Sequence, residues 1–141
     1  MLELARPAYR GYEISDVSKL DWSGEIVVEA KFDGMRIEIE HTGDSVQFYS
    51  DEGKQKRDRL PYQAEEAMKL GHDPFVLDSE CIMVKNGKAR HRTEANALLN
   101  GKFDPHEQAK HAYLMIFDVL KFEGEDVRDH PYHERIELLG R

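Results

Sequence analysis

Apolar and polar positions along this chain fall into short segments with changing periods. Glu25 to Lys31 is rich in β-branched residues and predicts a strand. Gly34 then marks a turn or a close backbone approach. From Met35 to His41 the pattern alternates: Ile37 and Ile39 face one side, and Arg36, Glu38 and Glu40 the other. Gly43-Asp44 predicts a turn, and Ser45 to Ser50 a further strand with Val46 and Phe48 on one face. Together these segments predict an antiparallel meander.

Polar residues Asp51 to Arg59 read as a loop. Pro61 suits the first turn of a helix in which Leu60, Ala64, Ala67 and Met68 recur at helical spacing. Glu65 and Lys69 make a favourable i,i+4 pair there, and Gly71 ends the helix. Phe75 to Val84 predicts an apolar strand interrupted by Asp78-Ser79-Glu80, followed by an Asn86-Gly87 hairpin turn. A short helix is expected from Thr93 to Asn100, a strongly apolar strand from Ala112 to Leu120, and a last helix opened by Asp129-His130-Pro131. In that helix Tyr132, Ile136 and Leu139 line one face. The expected class is α+β, with antiparallel sheets and packed helices. Residues 1–24 read as an arm or entry segment, and 25–141 as one folded unit.

Composition narrows the possibilities. Of 141 residues, 40% are apolar, enough for a core. No window is apolar enough for a membrane span, so no membrane partner is expected. Cys81 is the single cysteine, so no intrachain disulfide can form; a reducing, cytoplasmic setting is expected. A net charge of -8 argues against this piece gripping a duplex alone, because phosphate contacts need clustered Lys and Arg. The pairs His106/His111 and His130/His133 lie outside any Cys/His framework, which argues against zinc.

Three segments carry candidate chemistry. Lys31-Phe32-Asp33-Gly34-Met35-Arg36 places a nucleophilic amine beside a sharp turn. Phosphoramidate formation needs a neutral amine, which desolvation or nearby cations such as Arg or Mg²⁺ would supply. The same six residues also suit a solvated strand lysine next to an Asp-Gly turn. Phe75-Val76-Leu77-Asp78-Ser79-Glu80 runs an apolar strand into two acids. Glu80 suits ribose hydroxyls or a divalent ion, and equally a solvated strand edge. In Tyr113 to Leu120, Phe117 suits a flat base or the core.

In this order the three segments resemble the ATP-dependent DNA ligases within the covalent nucleotidyltransferase superfamily. Lys31 to Arg36 matches K-x-D-G-x-R, with Glu29 preceding it. Val76 to Glu80 matches apolar-Asp-Gly-Glu except for Ser79 at the glycine. Phe117-Asp118, Gly124, Arg135 and Leu138-Leu139 match the pattern that follows. The resemblance implies an ATP-grasp-like adenylation fold with ATP and Mg²⁺ as cofactors. Lys31 is then the nucleophile, Glu29 helps recognise adenine, Arg36 contacts ribose or phosphate, Glu80 binds ribose and touches metal, and Phe117 stacks on adenine. Nicked DNA is the implied substrate, in repair, replication or recombination. RNA ligases, capping-type enzymes and a non-catalytic module of the same fold remain alternatives.

Two departures stand out. The family's Ser-Arg after the third strand is Ser50-Asp51 here, leaving Lys54, Lys56 or Arg57 to compensate. The family's later E-G-x-x-x-K and K-x-K motifs do not follow Phe117. The expectation is therefore the N-terminal part of an adenylation domain. A further segment or a partner chain would supply those motifs and the OB-fold domain. A cytoplasmic, nucleoid-associated location fits a prokaryotic host.

Overall fold

A computed structural model describes residues 18, 23–24, 29–71 and 73–140. The entry arm therefore lies almost wholly outside the described residues, as do residues 25–28 of the strand expected at Glu25 to Lys31. Glu29, Ala30 and Lys31 are described and are not strand. Lys31 thus sits in an irregular lead-in rather than at a strand end. Without alternation or a paired neighbour, these residues gain nothing from the extended ladder.

The alternating segment forms β1 (Met35–His41), which turns through Gly43 into β2 (Val46–Ser50). In this hairpin Ile39 pairs with Phe48 and His41 with Val46. Ile37, Ile39, Val46 and Phe48 are buried, as their period of two requires. The loop from Asp51 onward includes a 3₁₀ turn at Arg57–Arg59 and leads to helix α1 (Pro61–Met68). Leu60, Ala64 and Ala67 bury one stripe of that helix. Lys69 pairs with Glu66 at 2.9 Å, not with Glu65: the helix has ended at Met68, and its last turn brings i+3 closer.

Strand β3 (Phe75–Lys85) follows, with the Asn86-Gly87 turn into β4 (Lys88–Ala89). Both turn residues have positive φ, the geometry of a two-residue hairpin. Helix α2 (Arg92–Leu99) starts one residue earlier than its periodicity suggests. His91 caps it, the ring Nδ1 accepting from the Thr93 N–H. A short helix α3 (Pro105–Gln108) was not read from apolar periodicity, yet Asp104 caps it and Pro105 opens it. Strand β5 (Ala112–Phe122), strand β6 (Glu125–Asp126) and helix α4 (Tyr132–Leu139) complete the described chain.

The sheet order is β2-β1-β3-β5-β6, antiparallel throughout, with β4 attached to β3. Among the described residues the expected meander is represented by the β1–β2 hairpin, and β3, distant in sequence, supplies the other neighbour of β1. Helices α1 and α4 cover the apolar side, where Met68, Leu138 and Leu139 pack against the core. Gln63 of α1 ties that layer to β5 by donating to the carbonyls of Ala109 and Ala112, each at 2.8 Å. The class is α+β, as expected.

Candidate nucleotide site on the polar sheet face

The polar side of β1 carries Arg36 and Glu38. Register sets Arg36 opposite Glu80 and Glu38 opposite Asp78, so two acidic positions of β3 arrive on the same face. Arg36 reaches diagonally, donating from Nε to Asp78 Oδ1 at 2.8 Å. Its other nitrogens lie 3.4 Å from Asp51 and 3.8 Å from Glu38. The guanidinium is therefore held by carboxylates of three elements.

Asp78 is only 2% exposed. Burial pushes its carboxyl above the usual range; Arg36 opposes that shift, and Asp118 adds to it. Asp118 stands directly opposite on β5. It has its own cation: Arg135 of α4 donates from Nε at 2.8 Å. Two adjacent carboxylates are thus each compensated by a separate arginine, which answers the desolvation that would otherwise disfavour them.

Glu80 is half-buried. Burial raises its carboxyl first, then the charges of Asp78 and Asp33, while Lys31 and Arg36 act in the opposite direction. Lys31, Asp33, Arg36 and Glu80 therefore share one electrostatic neighbourhood. Lys31 and Glu29 are exposed, and Lys31 makes no ion pair with a described residue. Asp33 has His91 Nε2 3.9 Å away.

Gly34 is required by contact. A Cβ there would lie 2.1 Å from the Cys81 carbonyl oxygen and 2.9 Å from Ile82 Cγ2. This close approach brings the Lys31-Phe32-Asp33 segment beside β3. Ser79, where the family has glycine, is fully buried, and its hydroxyl donates to the Ile37 carbonyl at 2.7 Å. The polar group is satisfied inside the ladder. Cys81 is buried, which pushes its thiol up to about 12 and makes it a packing residue.

Phe117 sits at an irregularity in β5. Asp78 pairs with Asp118 and Ser79 with Ile116, so Phe117 is the extra residue of a bulge. It is half-buried and belongs to neither core cluster. The structure thus gathers Lys31, Arg36 and Glu80 into one neighbourhood. Glu29 lies two residues before that group in the chain, and Phe117 at the bulge of β5. The reading of single residues missed the Arg36–Asp78 and Arg135–Asp118 pairs. The signal available was an acid inside each of two apolar strands, since each needs a partner. Among the described residues no group of three or more His, Cys, Asp or Glu is placed to hold a metal, and no helix is long and apolar enough to cross a membrane.

Residues 8–141 match the family described as ATP dependent DNA ligase domain. A probable DNA ligase of Streptomyces avermitilis is 33% identical over 121 residues, covering 84% of this chain and 24% of that protein. One from Mycolicibacterium gilvum is 31% identical over 118 residues, covering 82% of this chain and 23% of its own length. The ligase domain from M. tuberculosis LigD superposes with a TM-score of 0.66 at 20% identity, over 79% of this chain and 35% of that one. A mycobacterial DNA ligase D complexed with ATP and MES gives 0.61 at 21% identity, with the same coverage. The chain spans about a quarter of the length of these sequence relatives. With a family match over nearly all of its length, a relative at one-third identity and the fold of ligase domains, the chain belongs to the ATP-dependent DNA ligase domain family.

Proposed function

We propose that this chain, from residue 25 onward, is the nucleotide-binding part of a DNA ligase adenylation domain, with Lys31 as its nucleophile. The observation that carries the reading is the close approach of Gly34 to the Cys81 carbonyl, which sets Lys31-Phe32-Asp33 beside β3, together with Arg36 directly opposite half-buried Glu80. The amine of Lys31, once neutral, attacks the α-phosphorus of ATP. The N–P bond forms, the P–O bond to pyrophosphate breaks, and pyrophosphate departs with that electron pair. The surplus amine proton passes to solvent. AMP then moves to a DNA 5′-phosphate, and a 3′-hydroxyl displaces it to seal the nick.

Each remaining residue has a place in this reading. Glu29 meets the adenine, Glu80 accepts ribose hydroxyls, and Phe117 offers a ring face to the base. Arg36 serves the phosphate region chiefly through position, because its hydrogen bonds already go to carboxylates. Mg²⁺, when bound, neutralises phosphate charge. It is commonly held by one or two carboxylates together with substrate phosphates, and Glu80 suits that pattern. Sealing belongs to an assembly that also brings E-G-x-x-x-K, K-x-K and an OB-fold domain, because this chain matches only about a quarter of its relatives' length.

One observation favours a second reading, a binding module without catalysis. Asp51 replaces the family's arginine and adds negative charge beside Arg36. Labelled-nucleotide transfer separates the two. The chain is incubated with ATP or GTP, alone and with a C-terminal half carrying the later motifs, then offered nicked DNA or nicked RNA. Transfer from ATP to nicked DNA supports the proposal. Transfer from GTP or to RNA moves the chain to the capping or RNA-ligase branch. No label on folded protein supports the binding module.

A further inference from the structure

A cavity of about 240 Å³ opens beside Arg36, between the loop after β2 and helix α2. It has room for a phosphate group. Lys54 and Lys56 line it from the loop, and Asn96 and Asn100 from the helix. The loop is built rather than loose. Its backbone closes through Ser50 N–H to the Lys54 carbonyl at 2.8 Å and Lys56 N–H to the Phe48 carbonyl at 2.7 Å. The Ser50 hydroxyl accepts from Lys54 N–H at 3.2 Å.

The two lysines differ in their surroundings. Lys54 is exposed and pairs with equally exposed Glu52 at 3.4 Å, a contact of little strength. Lys56 is half-buried, and its ammonium donates to Asn100 Oδ1 at 3.3 Å. Among the described residues no carboxylate lies within ion-pair distance of Lys56. A cation held at the cavity wall by a neutral amide, with no carboxylate partner among the described residues, has capacity for an anion. Asp51, the other acid in the wall, is engaged with Arg36. Arg57, the remaining candidate, lines a different cavity with Asp58, Pro61 and Glu65, and neighbouring Arg59 donates to the carbonyls of Leu98 and Phe103.

We infer that Lys56, supported by Lys54, Asn96 and Asn100, binds a substrate phosphate group immediately beside the adenylation site. The inference rests on the ligase reading above. It assigns the role of the missing Ser-Arg arginine to a different element and brings α2 into substrate binding. The phosphate comes from the nucleotide or from the backbone of the nicked strand, and the experiment separates these sources.

Lys56→Gln is compared with Lys88→Gln, which removes the same charge from exposed β4, outside the cavity wall. With and without a C-terminal half that carries the later motifs, binding of a 5′-phosphorylated nicked duplex is followed by fluorescence anisotropy across a salt series, and AMP-adduct formation from ATP is followed in parallel. If the strand supplies the phosphate, Lys56→Gln weakens duplex binding about 3- to 10-fold and lowers the salt slope by about one, with adduct formation unchanged. If the nucleotide supplies it, Lys56→Gln slows adduct formation instead. Equality of the two variants in both assays overturns the site, as does absent duplex binding together with an unchanged adduct. Failure of the unmodified protein to form any adduct in either condition overturns the lysyl-AMP reading and leaves the duplex measurement to decide the site.

Discussion

Arg36 on β1 donates to Asp78 on β3 at 2.8 Å, passing diagonally beside the directly opposite Glu80. The pair ties β1 to β3, two strands that carry candidate motif residues, and Asp78 has almost no solvent to fall back on. Arg36→Ala leaves that carboxylate buried without its cation. The expected loss is about 3 kcal/mol in urea unfolding. Asp78→Asn in the Arg36→Ala background restores most of it, because the buried charge is gone. A double variant no more stable than Arg36→Ala would argue against this pairing as the source of the loss.

Gly34→Ala tests the close approach of the motif to β3. The added methyl meets the Cys81 carbonyl, which is backbone and cannot swing away. A loss of about 3 kcal/mol is expected, at the upper end of overpacking effects. Chemical denaturation measures it; a loss below about 1 kcal/mol would mean that the strands separate easily here.

Much of this scaffold was legible from residue pattern. The alternation of Ile37 with Ile39 and of Val46 with Phe48 predicted β1, β2 and their buried faces, and Asn86-Gly87 predicted its turn. Pairing between distant segments was not legible: alternation gives a face to each strand but no neighbour, so β3 beside β1 came only from the structure. The strand expected over Glu25 to Lys31 rests on Val27 and Val28, which favour extension, whereas Lys31 itself carries no such preference. Helix α3 escaped notice because four residues cannot show a helical period, although Asp104-Pro105 announces its start. Lys31, Arg36 and Glu80 could be named as candidates from their motifs, but Asp51 as a partner of Arg36, and Phe117 at a bulge, depend on register.

Glu80 predicts a trade of stability against function. Its carboxyl is raised by burial and by Asp78 and Asp33, so its ionised form is disfavoured in the fold. The sign follows: the cost is absent below the ordinary carboxylate value, grows as pH rises through the raised folded value, and is full above it. Glu80→Gln should therefore raise Tm slightly at neutral pH, by a few degrees at most, with the gain fading on acidification. The same variant should lose adduct formation. A lower Tm at neutral pH would show that the charge is welcome in the folded chain.

Cys81 should behave as buried packing. With a thiol pushed up to about 12 and no exposure, the folded chain resists iodoacetamide at about pH 8, and the urea-unfolded chain reacts readily. Equal rates in both states would place the thiol at the surface. Ser79→Ala, by contrast, removes the hydroxyl donated to Ile37 and should cost about 1 kcal/mol in denaturant unfolding.

The nucleophile itself is tested by intact-mass and peptide-mapping spectrometry after incubation with ATP and Mg²⁺, with and without a C-terminal half that carries the later motifs. The predicted result is a single AMP on Lys31, absent in Lys31→Ala. No adduct on folded protein in either condition, or an adduct that survives Lys31→Ala, would contradict the account.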